Sequence, residues 1–416
     1  MSTGADIPAL LARLSRQETG RLTGALARKL GAGSLSFAED CVQDAFLNAL
    51  QSWPQRGVPD NPFAWLLLAA HNRGIDRLRR HAMHSALEPR VADWIRTLQH
   101  AHGADLAGDE ELQLVALCCD PRLEDDARQV LALKCVCGFS IDEIARAFLA
   151  TPSAIAQRLV RAKARLKEGL VPETPTGVAL QERLPSMLRT IYLLFNEGYS
   201  STQGHSLLRA EFCDEAIRLC RILLSHAHTS APEVQALCAL MLFQHARRLA
   251  RVSDEQVAIS LEAQDRTLWD HAMIAEGFRH LSLAMSGDRL TAYHLEAGIA
   301  SVHAAASDFG ATDWAQLGRY YDALTEIAPS PVVEINRAIA VAMHRGPEAG
   351  LLLLAPLRQN GQVQRYLPFH LAEGELQLRR GERALARAAF TAALGLAMSA
   401  QERKLVETRL QHTADA

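Results

Sequence analysis

The sequence has few aromatic residues and no long apolar run. Aromatic residues make up only 6% of its 416 positions, and the helix-forming residues Ala, Leu, Arg and Glu are abundant. A chain poor in aromatic and β-branched side chains favours helices over strands, so we expect an all-α protein. The longest apolar stretch, FAWLLLAA, is much shorter than the roughly 20 residues that cross a bilayer, so we expect no membrane partner.

The sequence also lacks a secretion signal and a disulfide framework. Polar residues interrupt the start, MSTGADIPALLARLSRQETG, so we expect a cytoplasmic protein. Eight cysteines in a long chain without such a signal do not predict disulfides. Cys118-Cys119 and Cys135-x-Cys137 invite a zinc interpretation, but no pair has CxxC spacing, and we favour buried thiols.

Motifs of common enzymes are missing as well. We find no nucleophile elbow, no phosphate-binding glycine loop and no zinc-binding helix. The sequence therefore predicts neither an enzyme nor a bound cofactor or metal.

Charge is balanced overall but clustered locally. The net charge is −3, so no global basic field indicates a nucleic-acid partner. However, Arg73, Arg77, Arg79 and Arg80 lie in one short stretch, and a second basic stretch runs through residues 158–167. Local clusters of this kind are the electrostatic pattern expected of a nucleic-acid interface.

Proline- and glycine-rich breaks divide the chain into three blocks. We predict domains at residues 1–84, 109–170 and 185–416, joined by linkers at 85–108 and 171–184. In the first block, Asn61 is a helix cap and Pro62 the first residue of a helix that is apolar in its first half and basic in its second.

The third block has helical patterning throughout and a hint of a repeat. Gly346 and Gly381 lie 35 residues apart, close to the ~34-residue period of tetratricopeptide helix pairs. The small and aromatic residues of such a pair are Gly374, Gly381, Ala386, Phe390 and Ala393. An ordinary antiparallel helix pair explains the same pattern, and both interpretations predict an α-solenoid or bundle.

The stretch FSIDEIARAFLATPSAIAQRLVRAKARLKEGL predicts a helix-turn-helix. Ser140 and Glu143 form a capping box for one helix, and Thr151 caps a second helix that begins at Pro152. The outer face of the second helix carries side chains suited to base edges and phosphates: Ser153, Ala154, Gln157, Arg158, Arg161, Lys163 and Arg165. A solvated basic helix has a similar composition, but the caps, the short turn and the one-sided charge together predict DNA binding.

These segments together resemble the extracytoplasmic-function sigma factors of bacterial RNA polymerase. AEDCVQDAFLNALQSWP and PDNPFAWLLLAAHNRGIDRLRR resemble sigma region 2, and the helix-turn-helix with the residues before it from DEELQLVALCC onward resembles region 4. YLLFNEGYSSTQG, EFCDEAIRLCRILL and DRTLWD resemble the subgroup with a large C-terminal tetratricopeptide-like extension. The resemblance implies a promoter-recognition subunit.

The resemblance also implies roles for individual residues. Region 2 would bind the clamp helices of the polymerase β′ subunit through Asp40, Gln43, Asp44, Phe46 and Leu47. The next helix would open and read the −10 element through Asn72, Arg73, Asp76, Arg77, Arg79 and Arg80. Region 4 would meet the β flap and place Pro152–Arg165 in the −35 major groove. The C-terminal block would act in cis, through an intramolecular contact with the sigma regions.

Two alternatives use fewer of these features. A DNA-binding regulator that is not a polymerase subunit needs only the helix-turn-helix and leaves the first block unexplained. A helical adaptor that binds peptides leaves the basic helix unexplained. Within the third block, FNEGYS at Phe195–Ser200 is either a functional surface or a helix that ends at Asn196 and Gly198 with Glu197 in solvent.

Overall fold

The structure is a computed structural model that describes residues 7–30, 35–82, 109–148, 150–167, 177–199, 206–251, 259–397 and 400–413. In these ranges the chain forms helices and no β-strand, as the composition predicts. No helix among them is long and apolar enough to cross a membrane. The chain divides into two compact units: unit 1 comprises residues 1–198 and 214–230, and unit 2 comprises residues 199–213 and 231–416. The predicted domain boundaries stay predictions.

Unit 1 is built of long helices at both ends of its sequence and a group of shorter helices between them. Helix α1 packs against α2, α2 against α3, and α1 also against α4 and α5, so these helices share one core. The helices are α1 (Ile7–Leu30), α2 (Leu35–Arg56), α3 (Pro62–Ala82), α4 (Asp109–Cys118), α5 (Asp125–Cys135), α6 (Ile141–Ala147), α7 (Pro152–Lys167), α8 (Val178–Tyr199) and α9 (Ser206–Ser225), the last from Asp214 onward.

Local sequence signals begin and end these helices. Asn61 caps α3, accepting a hydrogen bond from the backbone N–H of Ala64 at 3.0 Å. Helix α2 continues past Pro54 and ends at Arg56. Gly57 follows with a φ of 82° and donates its N–H to the carbonyl of Trp53. A glycine in this conformation is the usual end of a helix, so Gly57 rather than Pro54 sets the boundary.

The helix-turn-helix forms as the sequence predicts. Ser140 accepts from the N–H of Glu143, and the Glu143 carboxylate accepts from the N–H of Ser140, which completes the capping box before α6. Thr151 accepts from the N–H of Ala154 at 3.2 Å, and α7 begins at Pro152. These caps fix where both helices start, so they also fix which residues of α7 face outward.

Helix α1 approaches the turn after α5 unusually closely. A Cβ atom built on Gly20 would lie 2.2 Å from the carbonyl oxygen of Val136. Only glycine fits at such a backbone-to-backbone contact, so this position ties the first block to the block that carries the helix-turn-helix.

Residues of the predicted third block also contact the helix-turn-helix block within unit 1. Ser186 of α8 donates to the carbonyl of Cys119 at 2.5 Å, and Arg189 donates to Asp125 at 2.6 Å. Arg218 of α9 pairs with Glu111 of α4 at 2.5 Å. These contacts join the start of the predicted third block to the helix-turn-helix block within unit 1.

Unit 2 is a run of helices in which each packs on its neighbour in the chain, which is the pattern of an α-solenoid. The predicted pair around Gly374 forms, and a Cβ on Gly374 would lie 2.5 Å from the ring of Phe390. The helices are α10 (Pro232–His245), α11 (His271–Ala284), α12 (Ala292–Ala305), α13 (Trp314–Ile327), α14 (Pro331–Arg345), α15 (Pro347–Leu354), α16 (Leu367–Arg379), α17 (Arg383–Leu396) and α18 (Ala400–His412).

Candidate nucleic-acid interface

Helix α7 buries one face and exposes the face predicted to bind DNA. Ile155, Leu159 and Ala162 are buried, and their spacing of three to four residues places them on one side of the helix. Of the predicted DNA-binding residues, Ser153, Gln157, Arg161 and Arg165 are exposed, and Ala154 and Arg158 are half-buried. Arg158 forms an ion pair with Asp126 at 3.3 Å. The structure therefore brings six of the seven predicted residues of this helix to an accessible surface.

Lys163, the seventh, lies on a different side of α7. It is half-buried and forms an ion pair with Glu39 of α2, which is only 7% exposed. The second carboxylate oxygen of Glu39 accepts from the Sγ of Cys135 at 3.0 Å. Burial would lower the pKa of Lys163, but Cys135 and the Glu39 carboxylate outweigh it and hold the pKa above its ordinary value.

The predicted residues of α3 divide into two groups. Asn72, Arg73 and Asp76 are exposed. Arg77 is half-buried and donates to Asp44 at 2.8 Å and to Asp40 at 3.4 Å. The side chains of Arg79 and Arg80 lie outside the described residues. A predicted DNA-binding residue is thus paired with two residues that the sequence assigns to polymerase binding.

The other predicted polymerase-binding residues line a groove between α1 and α2. Gln43, Phe46 and Leu47 form part of its wall, together with Leu11 and Leu50. The groove has a volume of about 510 Å³, and Leu47 is 58% exposed. An exposed apolar groove of this kind fits the apolar face of a helix from another protein.

Sequence inspection missed Glu39, which connects α2 to both α5 and α7. A signal was available, because Glu39 shares the helical face of the buried residues Ala38 and Val42, where a carboxylate needs a partner. The identity of that partner could not be deduced, since Lys163 is 124 residues away along the chain.

The cysteines that suggested zinc are buried thiols. Burial raises the pKa of Cys119 to about 12 and that of Cys41 to about 11. The hydrogen bond with Cys118 and burial raise the pKa of Cys135, and burial raises that of Cys137. Thiols with raised pKa values are poor nucleophiles and poor metal ligands. Among the described residues no group of three or more potential ligands could hold a metal ion.

Three family models match successive segments of the chain, and the first two contain the predicted binding residues described above. The model described as Sigma-70 region 2 matches residues 17–83, and the one described as Sigma-70, region 4 matches residues 117–166. A third model, a family of unknown function (DUF6596), matches residues 183–285.

Two relatives extend this result. A protein of Rhizobium meliloti (strain 1021) named "Uncharacterized protein R00370" is 39% identical over 391 residues, which cover 92% of this chain and 91% of the relative. The protein named "ECF RNA polymerase sigma factor SigK" of Mycobacterium ulcerans (strain Agy99) is 28% identical over 168 residues, covering 37% of this chain and 88% of the relative. No solved structure gives a significant match.

Proposed function

Because this chain belongs to the extracytoplasmic-function group of the sigma-70 family and carries a C-terminal helical extension, we propose that it directs RNA polymerase to promoters by reading their −10 and −35 elements. The observation that carries the proposal is the exposed, basic outer face of α7 within the segment that matches region 4. A sigma factor is not an enzyme, in agreement with the absence of catalytic motifs from the sequence.

Helix α7 is the element that reads the −35 sequence. Its N-terminal residues Ser153 and Gln157 are exposed, and in a helix-turn-helix the start of the second helix reaches base edges in the major groove. Arg158 and Arg161 lie further along the same face, where guanidinium groups bind either guanine or phosphate. The side chains on this face can therefore supply both base and backbone contacts.

Region 2 supplies the contacts to polymerase and to the −10 element. The groove lined by Phe46 and Leu47 takes an apolar helix face of the β′ clamp. Asn72 and Arg73 are exposed at the surface of α3 and contact the separated strand. Arg77 must leave Asp40 and Asp44 before it can contact DNA. Because polymerase binds at these two acids, its binding releases Arg77 for the DNA contact.

Reading both elements requires the two sigma regions to separate. The centres of the −10 and −35 elements are about 25 base pairs apart, or roughly 85 Å along the duplex. A compact unit of about 200 residues has a radius of gyration of roughly 16 Å, so it is only about 45 Å across. The contacts between α1 and the turn at Val136, and between Glu39 and Lys163, are therefore contacts of the free chain that open on the promoter.

The test is in vitro transcription with core RNA polymerase and sheared genomic DNA, with and without the full chain. We expect new run-off transcripts that start at defined positions and depend on the chain. The double substitution Arg158→Gln with Arg161→Gln should reduce these transcripts roughly thirtyfold, since each of the two lost contacts contributes about 1 kcal/mol.

Arg289→Gln is the matched control, because Arg289 is an exposed arginine of unit 2 and should leave transcription unchanged. Absence of chain-dependent transcripts, together with sequence-specific duplex binding by the chain alone, would instead identify a DNA-binding regulator that is not a polymerase subunit.

A further inference from the structure

Beside α7 lies a pocket of about 290 Å³ that the DNA-binding residues predicted from the sequence only partly account for. We call it the arginine pocket. Arg158, Arg161 and Arg165 of α7 line one side, and Arg122 and Glu124 before α5 and Asp126 in its first turn line the other. Four guanidinium groups and two carboxylates therefore share one concave surface next to the helix that reads DNA.

The acids of the arginine pocket do not neutralise its cations. Asp126 pairs with Arg158 at 3.3 Å in an exposed ion pair. Neither Arg161 nor Arg165 has a carboxylate within 4 Å among the described residues, and both side chains are exposed. The pocket thus has guanidinium groups left over for an anion from outside the chain.

Arg122 differs from the other three arginines because its position is fixed. Asp120, which is 1% exposed, accepts from Nε and Nη2 of Arg122, each at 2.9 Å, and from the backbone N–H of Arg122. Burial alone would raise the pKa of Asp120, but the bonds from Arg122 and the charge of Arg183 lower it below its ordinary value. The Arg122 side chain remains 45% exposed, so its Nη1 edge can bind another acceptor.

The same carboxylate is also bound by the first helix of the C-terminal extension. Arg183 of α8 forms an ion pair with Asp120 at 3.1 Å and donates to the carbonyl of Ala116 at 2.9 Å. Arg183 is the first residue matched by the family of unknown function. The extension therefore braces the carboxylate that holds Arg122 at the pocket.

We propose that the arginine pocket holds a backbone phosphate of promoter DNA, that Arg122 is a DNA contact in addition to those of α7, and that Asp120 and Arg183 are positioning residues for it. The proposal rests on the proposed function, since a helix in the major groove brings its flanks beside the phosphate backbone. It gives the start of the extension a role in DNA binding that the helix-turn-helix alone does not require.

The probe is a fluorescein-labelled duplex of about 30 base pairs with random sequence, because phosphate contacts contribute to binding of any sequence. The anisotropy of the duplex is measured with the full chain between about 50 and 200 mM KCl. For Arg122→Gln we expect three- to tenfold weaker binding and a salt slope reduced by about 0.9, the value for one lost phosphate contact. Arg122→Lys keeps the positive charge but loses the two-pronged guanidinium geometry. It should therefore keep the salt slope of the wild-type chain and bind the duplex more weakly.

The positioning role of Arg183 is tested with a double substitution. Arg183→Gln should weaken binding two- to threefold in the wild-type background and have no further effect in the Arg122→Gln background, since both changes remove the same contact. A purely structural role for Arg183 would make the double variant markedly worse than Arg122→Gln. Arg189→Gln is the matched control: it lies on the same helix, pairs with Asp125 and is 61% exposed, so binding should not change.

Failure of the proposal is distinguishable from failure of the proposed function. If Arg122→Gln binds with the wild-type affinity and slope while Arg158→Gln with Arg161→Gln loses binding, the arginine pocket is not a phosphate site and the function of α7 stands. If no variant changes binding, or if the wild-type chain does not bind the duplex, the proposal is overturned, and the transcription assay then decides the function independently.

Discussion

Two sets of cationic side chains, one in each unit, are stabilised in different ways. In unit 1, Lys163 pairs with Glu39 and Arg183 with Asp120, and both acids are buried. In unit 2, Arg247 and Arg266 lie over the ring of Trp269, with distances of 5.7 and 4.5 Å from the guanidinium carbon to the ring centroid. These two cations of unit 1 therefore have buried carboxylates as partners, and the two arginines of unit 2 share an aromatic ring.

The aromatic cluster of unit 2 is completed by backbone acceptors. Arg251 stacks on the Tyr199 ring at 3.5 Å and donates to the Tyr199 carbonyl at 3.0 Å. Arg266 donates to the carbonyls of His303 and Ala306, each at 2.7 Å. No carboxylate lies within 4 Å of Arg247, Arg251 or Arg266 among the residues that the structure describes.

A carboxylate partner and an aromatic partner differ in whether DNA can replace them. A lysine held by a carboxylate can transfer to a DNA phosphate, because both partners are oxyanions. A guanidinium stacked on a ring and bonded to carbonyls has no comparable competitor, so it stabilises one fixed arrangement. We infer that Lys163 of unit 1 can take part in function and that the arginines stacked on Trp269 and Tyr199 in unit 2 maintain a scaffold.

The largest expected effect comes from removing the charge of Glu39. Glu39→Gln leaves half-buried Lys163 without its anion, and breaking a pair of this kind costs about 3–4 kcal/mol. The change should appear as faster hydrogen exchange in α1 and α5, which pack against each other, and as tighter binding of duplex DNA by the free chain.

The control for Glu39→Gln is Asp322→Asn, which breaks the exposed pair with Arg337 in unit 2 and should cost less than about 0.5 kcal/mol. Equal and small changes in both variants would show that the buried pair does not hold the sigma regions together.

A smaller effect is expected from Trp269, which is 4% exposed. Trp269→Leu removes the ring under Arg247 and Arg266, and we expect a loss of about 2–3 kcal/mol from the two cation–π contacts and the lost packing. Trp314→Leu is the comparison, because the half-buried Trp314 ring contacts His303 and Phe309 and, among the described residues, no Lys or Arg, so its loss should be about 1 kcal/mol smaller. Urea denaturation measures the free energy of unfolding of both variants. Equal losses would show that the cation–π contacts do not contribute to stability.

The sequence predicts interactions between residues that are close along the chain better than interactions between residues that are far apart along it. The caps at Asn61, Ser140 and Thr151 were predicted, because a cap and its helix are adjacent in sequence. The pairing of Glu39 with Lys163 was not, because any of several acids could have met that lysine. Helix boundaries and the outer face of α7 are therefore local properties, whereas the contact between the sigma regions is a tertiary property.

The FNEGYS motif also depends on partners that are distant in sequence. Helix α8 does not end at Asn196 or Gly198 but at Tyr199, and Phe195 is fully buried. The Tyr199 hydroxyl accepts from Arg247, 48 residues later in the chain, at 2.8 Å. A tyrosine that binds two arginines of the same unit is a structural anchor, a role that the six residues of the motif do not reveal by themselves.

The smallest expected effect is a loss of stability at low pH, which arises from His303 beside the arginines of the aromatic cluster. Burial and the charges of Arg247 and Arg266 lower the pKa of His303 from 6.5 to about 4. Between these values the unfolded chain binds a proton that the folded chain does not, so acidification destabilises the fold by about 1.4 kcal/mol per pH unit. From pH 7 to pH 5 the loss should be about 2 kcal/mol. It develops as the pH falls below 6.5 and is complete near pH 4.

The measurement is the free energy of unfolding at pH 7 and pH 5, compared between the wild-type chain and His303→Gln. The variant should lose about 2 kcal/mol less than the wild-type chain on acidification, because its side chain binds no proton in either state. His344→Gln replaces an exposed histidine of unit 2 and should keep the wild-type response. If the wild-type chain and His303→Gln lose the same stability, His303 is already charged in the folded state, which two neighbouring guanidinium groups without carboxylate partners would strongly oppose.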